Sequence, residues 1–304
     1  MNRPIVIFSY NRPQYFFHTL ESLKKQVDES TDIFLFQDGP RGYIIPDQNL
    51  RERSLIESST SMFKDAFPWG KVYASDVNLG VAFNQKRARD FIFQENESAI
   101  FIEDDVVLNE YYIKMLNERM DFFSEDRDIS MVSCFGESHR DKNVYDFLDY
   151  LTPIEDRKTA QIENRNQYIQ MEHVWAYGFF RHAYQSVTDI MDGYYELIPS
   201  EYRMRPHGEI YKYMQSQGAG ENIVSSQDSC LCAALTLKGF VKVSTFTANM
   251  TYIGEWGEHS RPENFLPHWG AQEVYNKYEK YFEWNDEIKS KINNRLKDKY
   301  LSIK

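Results

Sequence analysis

The chain of 304 residues holds only three cysteines, Cys134, Cys230 and Cys232, and none is spaced as a zinc ligand beside further Cys or His. So few thiols exclude a disulfide framework and point to a reducing compartment with the cysteines in the core. No basic tract is present, and 35 Lys and Arg against 46 Asp and Glu leave a net charge of −11. Nucleic acid is therefore excluded as a natural partner, and an anionic ligand would need local basic groups or a metal. No run approaches the roughly 18 apolar residues of a membrane span. Met1-Asn2-Arg3-Pro4 leads into an apolar run, Ile5 to Phe8, that is too short for a secretory leader. These absences predict a soluble, cytoplasmic protein. Finally, no Gly-x-Gly-x-x-Gly follows any candidate strand, which removes a dinucleotide-binding dehydrogenase.

What is present is an alternation of short apolar runs and helical patterns. Hydrophobic residues make up 42% of the chain and aromatics 15%, enough for a sizeable core. Strands are predicted at residues 4–9, 32–37, 71–75, 99–102 and 129–134, and helices near 13–27, 47–67, 81–94 and 109–123. Strand then helix, with short connections, is the pattern of a parallel sheet covered by helices. After Cys134 the pattern breaks into a polar, irregular stretch over 135–171. It resumes at His173-Val174-Trp175-Ala176-Tyr177-Gly178, followed by helices through Ala183 to Ile190 and Ser229 to Leu237, and a strand at 241–246. The charged tail from Gln272 carries Tyr275, Tyr278 and Phe282 as an aromatic stripe and reads as helical. The chain thus reads as one α/β domain: a first half over 1–134, a second over 135–270, and a helical tail over 271–304.

The stretch from Ala99 to Leu108, A-I-F-I-E-D-D-V-V-L, organises the chemistry. A buried strand here ends in three acids, Glu103, Asp104 and Asp105. Carboxyl ends of parallel strands are where ligands bind in open α/β sheets. Three adjoining carboxylates repel one another, and a divalent cation would relieve that; the first turn of a following helix would also favour acids. The earlier strands end in polar residues too: Ser9-Tyr10-Asn11-Arg12, Gln37-Asp38 and Asn78. Four such ends in succession favour a nucleotide cleft.

The motifs F-S-Y-N-R-P, F-Q-D-G-P, S-D-V-N-L-G-V-A-F-N and F-I-E-D-D-V-V-L occur in this order over residues 4–134. Together they resemble the nucleotide-sugar half of GT-A fold glycosyltransferases. The E-D-D triplet with Q-D is similar to the N-acetylglucosaminyltransferases of N-glycan processing; N-R-P and N-L-G-V-A-x-N are similar to bacterial family 2 transferases. Beyond 134 the resemblance rests on W-A-Y-G-F-F-R, S-Q-D-S-C-L and I-G-E-W-G-E-H.

The resemblance implies a mostly parallel central sheet flanked by helices, with an irregular acceptor-binding second half. It implies a metal-dependent, inverting transfer from a nucleotide-diphosphate sugar, UDP by default, to a glycan or lipid-linked saccharide, with Mn²⁺ or Mg²⁺ on the diphosphate. Polysaccharide biosynthesis is the implied setting, and a lipid-linked acceptor would bring peripheral contact at the inner face of the membrane. On this pattern Asp105 is the metal ligand, with Glu103 and His259 in support, and Asp104 stands near the ribose or sugar. Asp38 holds the base edge, Arg12 the ribose or phosphate, and Ser9, Tyr10, Asn11 and Asn78 complete the nucleotide cleft. Trp175 and Gly178 pack on the donor sugar, and Asp228 is the base that takes the acceptor proton. Two other classes compete: a sugar nucleotidyltransferase, which would need a glycine-rich loop where Ser9 to Pro13 has none, and a non-catalytic nucleotide-sugar or glycan binder.

Overall fold

The computed structural model describes residues 3–42, 45–136, 154–257, 260–269 and 272–301. In chain order the first half contains β1 (Ile5–Ser9), α1 (Pro13–Lys24), β2 (Ile33–Gln37), α2 (Pro46–Ala66), β3 (Lys71–Ala74), α3 (Gly80–Ile92), β4 (Ser98–Ile102), β5 (Val106–Leu108), α4 (Tyr112–Phe122) and β6 (Ile129–Ser133). The second half contains α5 (Ile154–Glu163), β7 (Tyr168–Gln170), β8 (Ala176–Phe180), α6 (Arg181–Ser186), α7 (Thr188–Glu196), α8 (His207–Ser216), α9 (Gln227–Leu237), β9 (Val241–Thr245), β10 (Met250–Tyr252), α10 (Pro262–Trp269) and α11 (Asp286–Tyr300). Among the described residues no helix is long and apolar enough to cross a membrane.

The main sheet has the order β3-β2-β1-β4-β8-β6-β9-β7. Pairings of β1 with β2 and β4, of β2 with β3, and of β6 with β9 are parallel; β8 runs antiparallel between β4 and β6, and β7 antiparallel beside β9. The sheet is therefore mostly parallel and flanked by helices, as the resemblance implies. Its inner strands are apolar at consecutive positions because helices cover both faces. Ile5 to Phe8, Ile33 to Phe36 and Ala99 to Ile102 are all buried. Phe101 on β4 lies between Phe8 and Tyr177, with ring centres at 6.0 and 5.6 Å. Burying a side chain of this size contributes about 1.5–3 kcal/mol. The three cysteines are buried and unpaired, as expected.

Several elements differ from the sequence reading. The helix expected from residue 109 starts at Tyr112, because the acid turn is followed by β5, which pairs with β10 in a separate two-stranded sheet. The helix expected through Ala183 and Ile190 is two helices, α6 and α7, divided at Val187. Residues 137–153 of the irregular stretch lie outside the described residues, but 154–163 is helical and 168–170 is a strand. The buried side of α5 is polar, so no apolar period marks it: Gln161 accepts from the Ala248 N–H at 2.8 Å and donates to the Glu273 carbonyl at 2.9 Å.

The tail is helical only from Asp286. Residues 272–285 run instead across α4 without helical bonding. Arg119 donates to the carbonyls of Glu279 and Lys280 at 3.2 and 2.7 Å and lies 4.3 Å from the Phe282 ring centre. The aromatic stripe thus serves contacts with α4 rather than one helix face. The start of α11 is set by Asn285, whose side chain accepts from the Ile288 N–H at 2.9 Å.

Candidate functional site

β4 delivers Glu103, Asp104 and Asp105 to its carboxyl end, and two later segments clamp the turn. The Glu103 N–H donates to the Trp175 carbonyl just before β8, at 2.8 Å, and the Ile253 N–H donates to the Asp105 carbonyl, also at 2.8 Å. Asp104 and Asp105 are buried. Arg12, just before α1, faces both: one guanidinium nitrogen bonds Asp104 and the other lies 2.8 Å from Asp105 Oδ2. The rim formed by β1 and β4 therefore brings Arg12, Asp104 and Asp105 together, as the sequence suggested.

Electrostatics follow from burial and pairing. Burial raises the Asp104 carboxyl to about 6, with Arg12 pulling down and Asp105 pushing up. Burial also leads the elevation of Glu103, well above the usual carboxylate range, with Asp105 and Asp104 adding to it. For Arg12, burial works against the charge, but Asp104 and Asp105 outweigh it and hold the guanidinium protonated. The Tyr252 phenol is raised by burial and by Asp105.

Asp38 has a different task from the one expected. Its Oδ1 accepts from the N–H groups of Gly39 and Leu79 at 2.8 and 2.7 Å; its Oδ2 accepts from the Gly80 N–H at 3.0 Å and the Asn78 amide at 3.1 Å. The carboxylate caps α3 from a distance, since Leu79 and Gly80 open that helix. With four donors already on its oxygens, it orders the corner rather than reading a base edge. Gly80 adopts φ 72°, which favours glycine, and the Cβ it lacks would stand 2.8 Å from the Tyr202 Cβ.

Tyr10 and Asn11 are drawn to one buried acid on α2. Tyr10 donates its hydroxyl to Glu52, Asn11 donates its amide at 3.3 Å, and the Arg41 N–H donates to the other Glu52 oxygen at 2.7 Å. Glu52 thereby fixes the loops after β1 and β2 against each other. The Ser9 hydroxyl is buried and finds no acceptor or donor among the described residues. Gln37 donates its amide to the carbonyls of Tyr10 and Asp38 at 2.7 and 2.9 Å.

Trp175 is half-buried and covered on both faces. His173 and Tyr252 stack on it with ring centres at 4.1 Å each, and Trp269 meets it edge-on at 4.9 Å. It supports the acid turn from behind and offers no ring face to a sugar. Gly178 lies inside β8 opposite Ile100 and Val132, and its absent Cβ would be 2.1 Å from the Met120 sulfur. Close packing of α4 on the sheet explains that glycine, so the expected donor contact is corrected.

Asp228 lies in the first turn of α9 and is half-buried. Ser226 stands at the N-cap position without a side-chain bond; the Gln227 N–H instead donates to the Tyr202 hydroxyl at 2.9 Å. Tyr202 touches Gly80 as well, so it links the Asp38 corner to the helix that carries Asp228. His259 lies outside the described residues.

A divalent cation shared with a diphosphate needs only one or two protein carboxylates, because phosphate and water complete its shell. Asp105 and Asp104 are hard oxygen donors of that kind. Residue 254 is glycine, and a Cβ there would lie 2.3 Å from Asp105 Oδ2 and 2.5 Å from the Tyr252 hydroxyl oxygen. Space beside Asp105 therefore depends on that glycine, and the donor set fits Mn²⁺ or Mg²⁺. Among the described residues no three His, Cys, Asp or Glu side chains gather as a ligand set. Glu103 turns to α3, where Gln85 donates to it at 2.5 Å. Of the residues that the sequence did not single out, Glu52 lies on a helix without a motif, while Gln85, Arg89 and Tyr252 lie just outside the S-D-V-N-L-G-V-A-F-N and I-G-E-W-G-E-H motifs.

Fold and rim together define a mixed α/β protein with an acid-bearing rim at the carboxyl ends of parallel strands. No family model matches the chain, and no curated protein matches its sequence. Among solved structures it is similar to GalNAc-T7 with UDP, GalNAc and Mn²⁺, with a TM-score of 0.47 and 11% identity over 88% of this chain and 47% of the other. It is also similar to the mannosyltransferase PcManGT from Pyrobaculum calidifontis in complex with GDP-Man and Mn²⁺ (TM-score 0.43, 11% identity, 79% of this chain and 53% of the other). S. aureus TarS 1-349 in complex with UDP gives a TM-score of 0.41 and 15% identity over 81% of this chain and 60% of the other. The chain thus spans about half the length of the first two.

Proposed function

We propose that this protein is a metal-dependent, inverting glycosyltransferase that moves a sugar from a nucleotide-diphosphate donor, UDP-linked by preference, to a glycan or lipid-linked saccharide. One observation carries the reading: Arg12 faces Asp104 and Asp105 where β1 and β4 end. A cation-binding acid pair beside an arginine suits a ligand whose charge grows during reaction, as the leaving diphosphate's does. Asp105, with Asp104 beside it, would hold Mn²⁺ or Mg²⁺. When bound, the metal supplies Lewis-acid stabilisation of the charge that gathers on the diphosphate.

The chain's own residues do the remainder. Arg12 lies within reach of the acid pair and neutralises phosphate oxygens brought to it. Asp38, Asn78 and Glu52 hold the loops that form the nucleotide's wall. Asp228 takes the proton of the acceptor hydroxyl as its oxygen attacks the anomeric carbon; the bond from that carbon to the diphosphate breaks, and the diphosphate leaves with the electron pair. One such displacement inverts configuration.

The acid pair gives the direct test. Asp105→Ala should abolish Mn²⁺-stimulated hydrolysis or transfer of the donor, while a cooperative thermal melt shows that the fold survives. Undiminished activity in this variant removes the metal assignment.

A further inference from the structure

Arg89 on α3 is fully buried. Its Nη2 donates to Gln85 Oε1, one turn earlier, at 2.6 Å and to the Tyr177 hydroxyl on β8 at 2.8 Å. Its Nε and Nη1 meet no acceptor among the described residues. A buried cation bonded only to an amide and a phenol is costly, and such groups persist where a specific partner is served. The partner is visible one bond further on. Because Gln85 must turn its oxygen toward Arg89, its amide hydrogens point the other way, and Nε2 donates to Glu103 Oε1 at 2.5 Å. Arg89, Gln85 and Glu103 thus form a directed relay from the core of α3 to the acid turn. Glu103 is half-buried and uses only Oε1 in this relay; its Oε2 has no bond to any described residue.

We infer that Gln85 and Arg89 are positioning residues that hold the Glu103 carboxyl group so that Oε2 hydrogen-bonds hydroxyls of the sugar carried by the nucleotide, making α3 a determinant of sugar choice. This rests on the nucleotide-sugar reading above. It gives the adjacent acids separate work: Asp104 and Asp105 are held by Arg12 near the phosphates, while Glu103 is held from the opposite side by α3. The strand ends at Ile102 and Asp104 and Asp105 lie in the turn that follows, so both reach Arg12 while Glu103, before the turn, faces α3.

The test compares sugar with nucleotide. UDP, UDP-GlcNAc, UDP-Gal and UDP-Glc are titrated by calorimetry with Mn²⁺ against the unaltered protein, Gln85→Met and Glu103→Gln. Gln85→Met keeps the shape and removes both relay bonds. It should leave UDP affinity within about twofold and reduce the preference for the best UDP-sugar over UDP by about tenfold, the effect of a hydrogen bond to a charged group. The double variant should lose no more than either single one. If the unaltered protein prefers a UDP-sugar and Gln85→Met keeps that preference, or the two losses add, the relay assignment is overturned. If the unaltered protein binds neither UDP nor any UDP-sugar, the nucleotide-sugar reading itself fails. Should Gln85→Met lack a cooperative melt, Arg89→Lys, which keeps the charge and loses the planar fork, must show the same selective loss.

Discussion

Asp38 and Asp105 both end or follow parallel strands, yet their surroundings assign them opposite tasks. Asp38 is met by three backbone N–H groups and an amide, so its charge is used in holding α3. Asp105 is met by one guanidinium and by the space beside Gly254. Asp228 differs from both, lying in the open first turn of α9. Replacing it by Asn keeps the size and removes the ability to take a proton. Transfer by Asp228→Asn should fall by about 10²–10⁴-fold, while UDP binding with Mn²⁺, followed by calorimetry, stays unchanged. Loss of UDP binding together with transfer would make Asp228 a structural residue. At this scale the sequence displays acids at strand ends plainly, because an apolar run stopping at charge is a local signal. It does not display which donors meet them, since those come from residues tens of positions away: Leu79 and Gly80 for Asp38, Arg12 for Asp104.

Elements were legible where their burial is one-sided or complete. β1, β2 and β4 are consecutive apolar runs, and α1 buries Phe16, Leu20 and Leu23 at helical spacing. Legibility fails where polar groups do the packing, as in α5, or where arginine replaces helical bonding, as along 272–285. α6 shows how such polar packing responds to pH. His182 Nε2 lies 3.1 Å from the Arg127 carbonyl oxygen. Burial, aided by Arg127, lowers the imidazole below its ordinary value, although backbone carbonyls resist this. The unfolded chain therefore takes this proton first. The contribution is complete above the ordinary imidazole pKa of about 6.5 and is lost as pH falls toward the lower folded value. Urea midpoints at pH 7.5 and 5.5 should accordingly differ less for His182→Gln than for the unaltered protein; an equal difference would show that this ring plays no part.

For the molecule as a whole, a net charge of −11 makes an anionic ligand unwelcome except where cations are concentrated. A nucleotide diphosphate should therefore stabilise the fold mainly when a divalent ion accompanies it. At a hundredfold excess over Kd the gain is about 2.7 kcal/mol, and the melting temperature should rise by about 5 °C. Thermal melts across UDP and GDP sugars, with Mn²⁺ and with chelator, check this. A shift that survives chelation unchanged would separate donor binding from the metal.

The clamp on the acid turn also has a consequence for the order in which the protein takes shape. Arg12 bonds the carbonyl of Trp256, and the Trp256 N–H bonds the Tyr15 hydroxyl, across separations of 244 and 241 residues. Contacts between positions so distant along the chain form late and slow the search for the native state. During synthesis β1, β2 and β4 can pair long before Trp256 leaves the ribosome. A nascent chain can therefore carry Arg12 already paired with Asp104 and Asp105, and the rim gains its contact with Trp256 only when nearly all of the protein has been made.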